Sequence, residues 1–311
     1  MPNKVALLAL ALSFSTAVWA FPESFDHKYG TTTLTEAPER IVSIGYSDHD
    51  DLLALGQKPL AVRDWYGDMD KATWPWAADL WGKAEPVVLP FGELDVEAIA
   101  ALEPDLIVGL SSGISAEQYQ QLSLIAPTLP QSGDYIEWGM PWHERTLWIG
   151  RAVGKLPEAE AMVDEIEQRF DTVTEQHPAL EGKQAAIAYY WEGQLGVYSD
   201  NDLRGDFLER LGLEIPEAIN DLAGDRFYSE LSLEELSLLN VDALIWLSTG
   251  DAQTDAANVP GRDLMAFHQQ GREIYVDKEL GGAFSFMSPL SLHYIFDELV
   301  PQIVQVVETQ R

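Results

Sequence analysis

The chain has 311 residues, no cysteine, and 51 acidic against 19 basic residues, which gives a formal net charge of −32. The absence of cysteine excludes disulfides, thiolate metal sites and cysteine nucleophiles. Because the acidic residues are spread along the whole chain, the charge argues against nucleic acid or an anionic membrane surface as a partner.

Residues 1–20 have the pattern of a cleavable signal peptide. Lys4 supplies a short positive region, the apolar run VALLALALSFSTAV follows it, and Val18 and Ala20 occupy the small-residue positions of a cleavage site. We therefore expect cleavage after Ala20 and export to the periplasm of a Gram-negative bacterium. No lipid anchor is expected, because anchoring needs a cysteine at the cleavage point. No later run of about 18 apolar residues indicates a membrane span.

Residues 21–141 are predicted to form an α/β lobe. A short hairpin leads into a strand that ends near Gly45, and a helix that Asp48 can cap follows it. Helices then alternate with short apolar strands, in PLAV, DVEAIAALEPDLIVGL and SAEQYQQLSLIAPTL. This alternation is typical of a mainly parallel sheet.

Residues 142–178 contain no strand candidate, and residues 179–311 resume the α/β pattern. In EAEAMVDEIEQRFDTVTEQH the apolar residues recur at helical spacing, which predicts one long helix that ends at Pro178. Strands are then predicted at QAAIAYYW, VDALIWLS and REIYVD, and helices at RGDFLERLG, LSLEELSLLN and the C-terminal segment around Pro301. The fold class is therefore α/β, with two lobes joined by one long helix.

The two halves of the chain resemble each other and, together, a known family. LDVEAIAALEPDLIVGLSSG from Leu94 matches LSLEELSLLNVDALIWLSTG from Leu231 at several positions. APERIVSIG, YQQLSLIAPTL and GREIYVD add three further motifs in order. With a long helix between the halves, the chain resembles the class III periplasmic binding proteins of ABC importers, and within them the iron–siderophore group. The resemblance covers nearly all of the chain after residue 20.

This resemblance implies a solute-binding protein and not an enzyme. It implies that a ferric siderophore binds between the lobes, that the siderophore itself holds the iron, and that no cofactor is needed. The partner would be the permease dimer of an inner-membrane importer, and the protein would act as a monomer. Glu97 and Glu234, one in each repeat, match the acids with which the family docks on the permease. Heme or cobalamin is the alternative ligand of the same fold.

The ligand site is predicted from the strand ends, because ligands of α/β sheets lie outside the carboxyl ends of the strands. Aromatic rings offer wide contact surfaces, and arginines offer a fixed fork of donors to anionic oxygens. For each arginine the alternative is an ion pair with a nearby acid. The predicted ligand-binding residues, of which the three arginines would bind an anionic ligand, are Tyr46, Arg63, Trp65, Tyr66, Ser112, Tyr190, Trp191, Arg204, Arg226 and Phe286.

Metal-binding and enzymatic alternatives have little support in the sequence. The only tight cluster around a histidine is SDHDD, and we expect His49 to be a surface residue of its helix rather than a ligand. No GxSxG, HExxH, GxxxxGK[ST] or GxGxxG motif is present. Trp74 and Trp76, on either side of Pro75, are predicted to pack in the core rather than to contact a ligand.

Overall fold

The first lobe follows a short hairpin. The computed structural model describes residues 21–309, so the predicted signal peptide lies outside the described residues. The hairpin consists of β1 (Glu23–His27) and β2 (Gly30–Leu34). The strands of the first lobe are β3 (Ile41–Ser43), β4 (Ala61–Arg63), β5 (Val87–Leu89), β6 (Leu106–Gly109) and β7 (Thr128–Pro130). Its helices are α1 (Asp48–Ala54), α2 (Pro75–Ala78), α3 (Val96–Ala101) and α4 (Ala116–Ser123).

Two helices, α5 (Trp142–Ala152) and α6 (Leu156–Gln176), lead to the second lobe. Its strands are β8 (Ala185–Trp191), β9 (Gln194–Tyr198), β10 (Tyr228–Leu231), β11 (Ala243–Trp246) and β12 (Glu273–Tyr275). Its helices are α7 (Leu203–Arg210), α8 (Glu217–Ala223), α9 (Ala252–Ala257), α10 (Ala266–Gln269), α11 (Lys278–Phe286), α12 (Pro289–Glu298) and α13 (Val300–Glu308). Short 3-10 helices lie at Asp70–Ala72, Asp79–Trp81, Pro178–Leu180, Leu233–Leu239 and Arg262–Leu264.

The two sheets have the same strand order. The first is β5-β4-β3-β6-β7 and the second is β10-β9-β8-β11-β12, so each lobe starts at its central strand. All neighbouring pairs of the first sheet are parallel, whereas β9 is antiparallel to both β8 and β10 in the second. This matching order gives the sequence repeat a structural basis. In the first lobe α3 and β6 occupy the places that the 3-10 helix Leu233–Leu239 and β11 occupy in the second.

The long helix predicted from apolar spacing is α6. It has 21 residues, which corresponds to a length of about 30 Å. Ile166 and Phe170, one turn apart, are buried against the core of the second lobe. The helix ends at Gln176, and Pro178 follows in the next turn. Within residues 21–309 no helix combines the length and the apolar character that a membrane crossing requires.

The C-terminal segment folds back over the first lobe, which the sequence did not predict. A helix, α11, follows β12, and its C-cap residue is Met287, whose φ of 46° is left-handed. Ser288 then caps α12, which packs against α1 and α2. Pro301 lies in the first turn of α13, so the C-terminal helix is divided into two pieces.

This folding back buries the start of α1, and the prediction of a surface position for His49 is wrong. The His49 ring is 0% exposed, and so are the neighbouring Asp48, Asp50 and Asp51. The N-cap position belongs to Ser47, and Asp48 lies in the first turn. The polar sequence SDHDD suggests an exposed turn. The suggestion fails because the residues that bury this turn come from the opposite end of the chain.

Candidate ligand-binding site

Two adjoining cavities lie between the lobes, and together they are called the cleft here. The first has a volume of about 350 Å³ and the second about 580 Å³. Residues that follow strands of both sheets line them, as the position of the carboxyl ends predicts. The residues shared by both cavities are Trp65, Phe91, Arg204, Phe227 and Ser285.

An aromatic platform forms the first lobe's side of the cleft. It is defined by Tyr46 and three rings around it, Trp65, Phe91 and Trp138, whose centroids lie 5.6, 5.7 and 5.8 Å from that of Tyr46. Trp138 has a left-handed φ of 68°, and its backbone N–H donates to Oε1 of Gln131 at 3.1 Å. The platform offers ring faces to a large ligand at a low cost in side-chain entropy.

Arg63 lies behind this platform and does not line either cavity. The guanidinium carbon lies 4.4 Å from the centroid of the Tyr46 ring. Its Nη1 donates to the backbone carbonyls of Ile44 and Ser112, its Nη2 donates to that of Gly92, and burial lowers its pKa. In this arrangement Arg63 supports Tyr46 and the loops around it, and its direct contact with a ligand stays a prediction. The ion pair with an adjacent acid is not formed.

Arg204, on α7, lines both cavities as predicted. Its Nε and Nη2 donate to the two carboxylate oxygens of Asp202 at 2.6 and 2.7 Å. The guanidinium also lies over the ring of Tyr198, 3.7 Å from the centroid. Burial lowers the pKa of Arg204, but Asp202 and Tyr198 more than offset this effect and raise it. The arginine is thus held in place as one half of a bidentate ion pair.

Arg145, on α5, is a second cavity arginine and was missed by sequence reasoning. Its Nε donates to Asp51 at 3.0 Å, and its Nη2 donates to the carbonyls of Phe286 and Met287 at 3.3 and 2.8 Å. Burial raises the pKa of Asp51, and the charge of Arg145 opposes this shift. Arg145 therefore holds α5, α1 and the end of α11 together.

Two buried carboxylates, those of Asp48 and Asp50, lie behind the residues that line the first cavity. Asp48 accepts a hydrogen bond from the hydroxyl of Ser111 at 2.6 Å, and Ser111 lines the cavity. Asp50 accepts from Trp76 and Ser288, and burial raises its pKa to about 6. These acids are held by hydrogen-bond donors, as buried carboxylates must be.

The remaining predicted residues fall into two groups. Tyr66, Tyr190, Trp191 and Phe286 line the cleft, as do Tyr46 and Trp65. Ser112 is buried and donates to the Gly109 carbonyl at 2.6 Å, while its neighbour Ser111 faces the cavity. Arg226 is exposed and donates to the carbonyls of Leu222 and Ala223. Neither Ser112 nor Arg226 is among the residues that line the two cavities.

Residues that the sequence reasoning missed mainly follow short strands. Phe91 follows β5, a three-residue strand whose two valines are exposed, so it carries no strong strand signal. Gln131 directly follows β7 and leads to Trp138, and the rule of strand ends could have identified that loop. No local signal marks Arg145, because its position on a helix reaches the cavity only through tertiary packing.

The two predicted docking acids are exposed and lie outside the cleft. Glu97 lies in the first turn of α3, and Glu234 lies in the first turn of the 3-10 helix before β11. They therefore occupy equivalent positions in the two lobes. Trp74 and Trp76 pack on each other as expected, with parallel rings 5.3 Å apart. Among residues 21–309 no group of three or more His, Cys, Asp or Glu side chains could hold a metal ion.

Known proteins with similar sequence and structure support one family. The family profile described as "Periplasmic binding protein" matches residues 41–277. The Fe(3+) dicitrate-binding periplasmic protein FecB of Escherichia coli is 30% identical over 230 residues, 71% of this chain and 70% of FecB. A periplasmic solute binding protein from Mycobacterium smegmatis has a TM-score of 0.82 at 34% identity, over 91% of this chain and 98% of that one. PiaA of Streptococcus pneumoniae, solved in complex with ferrichrome, has a TM-score of 0.77 at 26% identity, over 92% and 98%.

Proposed function

The chain belongs to the periplasmic binding protein family, and we propose that it captures a ferric siderophore in the cleft and delivers it to an ABC importer. Its two α/β lobes, joined by a long helix, have the class III architecture. The observation that carries the proposal is the aromatic platform at the carboxyl ends of the first sheet. Rings of the second lobe, Tyr189, Tyr190, Trp191, Tyr198 and Phe227, line the other side of the cleft. FecB and PiaA, whose names or solved complex refer to ferric dicitrate and ferrichrome, support the same class of ligand.

The siderophore, rather than the protein, would hold the iron. A protein-bound ferric ion needs several oxygen or nitrogen ligands that converge on one point. Among the described residues no group of three or more His, Cys, Asp or Glu side chains converges in this way, and the cleft is lined mainly by rings and hydroxyls. A chelate that already saturates its metal needs only a surface of matching shape and a few hydrogen-bond donors.

Heme and cobalamin are the alternative ligands of the same fold. A heme iron in a protein usually has an axial ligand such as histidine, cysteine or tyrosine. No histidine is among the described residues that line the two cavities, whereas Tyr46, Tyr66, Tyr189, Tyr190 and Tyr198 are, so the choice of a ferric siderophore over heme rests on the relatives named above. The relatives named above are binding proteins for transport, which supports a role in uptake without chemical conversion of the ligand.

Delivery would use the two exposed acids Glu97 and Glu234. Each stands in the first helical turn before an equivalent strand, so the two lobes present one carboxylate each. A permease dimer with two-fold symmetry offers two equivalent basic pockets, which one monomer of this protein can engage together. We further propose that the chain is exported by its N-terminal segment and acts in the periplasm without a lipid anchor.

The proposal is tested by retention of a coloured chelate. The purified protein is mixed with a panel of ferric hydroxamate, catecholate and citrate chelates, passed through a desalting column and measured for visible absorbance and iron. Retention of about one iron per protein with at least one chelate is expected for a single cleft. A colourless, iron-free protein fraction with every chelate would contradict the proposal.

A further inference from the structure

The cleft contains arginines, but it does not present an excess of positive charge. Among the described residues that line the two cavities, the charged side chains are Arg145, Arg204, Asp202 and Asp255. Two cations and two anions therefore face the cleft. Histidine and lysine are not among these lining residues. A site built to hold a multiply charged anion would be expected to show a surplus of cations.

Each cavity arginine is already matched with a buried carboxylate. Asp202 accepts two hydrogen bonds from the Arg204 guanidinium and a third from the Arg204 backbone N–H, and only 9% of its side chain is exposed. Asp51, which is 0% exposed, accepts the Nε–H of Arg145 at 3.0 Å. A ligand carboxylate or catecholate at either arginine would meet a fixed negative charge directly behind it.

The charges farther from the cavity wall do not change this balance. Arg63 lies behind Tyr46, where its Nη1 and Nη2 donate to backbone carbonyls rather than to the cavity. Asp48 and Asp50 lie behind Ser111 and Trp76, so the buried shell of the first lobe contains acids as well. The whole chain carries a net charge of −32, which repels anions at long range.

The charge of a ferric chelate depends on its donor groups. Three hydroxamates are singly charged when they bind iron, and together they balance the charge of Fe³⁺. Three catecholates carry two charges each and leave a trianion, and citrate chelates are also anionic. Charge therefore separates these classes more sharply than size or aromatic character does.

We propose that the cleft selects an uncharged ferric tris-hydroxamate over anionic catecholate and citrate chelates. This inference rests on the proposed function and narrows its ligand. The platform of Tyr46, Trp65, Phe91 and Trp138 covers the apolar part of such a chelate. Arg204 keeps N–H groups that Asp202 does not use, and these can donate to hydroxamate oxygens without a net charge on the ligand.

The test uses calorimetric titration of the wild-type protein with chelates that hold the same metal ion, Fe³⁺, but differ in net charge. Ferrichrome serves as the neutral tris-hydroxamate, and a ferric tris-catecholate and ferric dicitrate serve as the anions. We expect ferrichrome to bind about tenfold or more tightly than either anion, because an anion would face Asp202 and Asp51. Its affinity should also change little between low and high salt, since charge screening has little to act on.

A single variant reverses the charge balance. Asp202→Asn retains an N-cap side chain for α7 and an acceptor for Arg204, so the fold should be preserved. It leaves Arg204 without its counter-ion and should raise the affinity for the tris-catecholate about tenfold, while ferrichrome binding changes by less than about threefold. Asp206→Asn on the same helix makes the same charge change outside the two cavities and serves as the control.

The outcomes separate this inference from the proposed function. If the wild type binds the tris-catecholate or ferric dicitrate more tightly than ferrichrome, the selection of a neutral chelate is overturned, while a ferric siderophore remains the ligand. Equal affinities of wild type and Asp202→Asn for the trianion would also overturn it. Failure of every ferric chelate to bind would overturn the proposed function itself.

Discussion

The hydroxyl of Ser288 donates a hydrogen bond to Asp50 at 2.7 Å, and both side chains are 0% exposed. Asp50 lies in the first turn of α1, directly after the central strand of the first lobe. Ser288 caps α12, which follows the last strand of the second lobe. The bond therefore joins the two lobes at a second place, far along the chain from the connecting helix α6.

Other contacts reinforce this second connection. Arg145 reaches the carbonyls at the end of α11, and Lys278 donates to the carbonyl of Gly67 at 2.6 Å. Gly282 on α11 lies so close to the Trp74 ring that a Cβ there would be 2.6 Å from it. The lobes are thus packed on each other through these contacts.

Closure of the cleft on ligand binding should therefore be small. The stiff helix α6 and the buried contacts between α12 and α1 limit rotation of one lobe against the other. Small-angle scattering of the protein with and without a saturating ferric siderophore should give nearly the same radius of gyration. A clear fall in the radius of gyration upon binding would contradict this account.

Replacement of Asp50 should separate its hydrogen bonds from its charge. Asp50→Ala leaves the donors of Trp76 and Ser288 unpaired in a buried place and should lower the free energy of unfolding by about 3 kcal/mol. Asp50→Asn keeps an acceptor for both donors and should cost much less. Equal losses in the two variants, measured by urea unfolding at pH 7, would show that these bonds do not stabilise the lobe contact.

The same Asp50→Asn variant should change the dependence of stability on pH. Burial raises the pKa of Asp50 from 3.8 to about 6, so its charged form is disfavoured in the folded state. The folded wild type therefore loses stability at this residue as the pH rises from about 4 to about 6. Asn has no such loss, and the variant should gain on the wild type over that interval. His49, whose pKa burial lowers to about 4, changes in the opposite sense but is present in both proteins.

This pH prediction is checked by denaturant unfolding of both proteins at pH 4.5 and pH 7. The difference in unfolding free energy, variant minus wild type, should be larger at pH 7. A difference that stays constant or falls would mean that Asp50 is already ionised without penalty in the folded protein.

Arg63 should matter for stability more than for charge recognition. Arg63→Met removes the donors to three backbone carbonyls and should lower the free energy of unfolding by about 2 kcal/mol. Arg226→Met, at an exposed arginine that also binds carbonyls, should have little effect on stability and serves as the control. Thermal and urea unfolding measure both. A fully stable Arg63→Met protein with abolished ligand binding would restore Arg63 as a direct ligand contact.

Reversal of the docking acids should affect uptake alone. The double change Glu97→Arg and Glu234→Arg should abolish uptake by the reconstituted importer, because each introduced arginine would be repelled by a basic pocket of the permease. Ligand affinity and melting temperature should stay close to wild type, since both acids are exposed and outside the cleft. Glu117→Arg with Glu217→Arg, two exposed acids also in first helical turns, makes the same charge change and should leave uptake normal. Equal uptake by the two double mutants would remove the docking role.

The sequence predicted the architecture well because the signals were local. Alternation of helices and apolar strands indicated two α/β lobes, and apolar spacing identified α6. The repeat around Leu94 and Leu231 corresponds to equivalent elements in two sheets of the same strand order. Strand ends also located Tyr46, Trp65 and Tyr66 at the cleft.

The electrostatic character of the cleft was not predictable in the same way. Arg63 and Arg204 look alike in the sequence, since each lies near acids, yet Arg63 lies behind a ring and Arg204 is paired with Asp202, two residues before it. Arg145 reaches the cavity only because α5 packs on α1. The polar run around His49 is buried by helices from the other end of the chain, and no local pattern records that covering.

The most direct test of ferric siderophore binding uses the tryptophans of the cleft. Trp65 and Trp138 both flank Tyr46 on the cavity wall, so a bound ferric chelate should quench their fluorescence. Titration with ferrichrome should give saturable quenching with one site per protein, while heme and cobalamin should give none beyond their own absorbance. Saturable binding of heme or cobalamin, with no response to any ferric siderophore, would contradict the account.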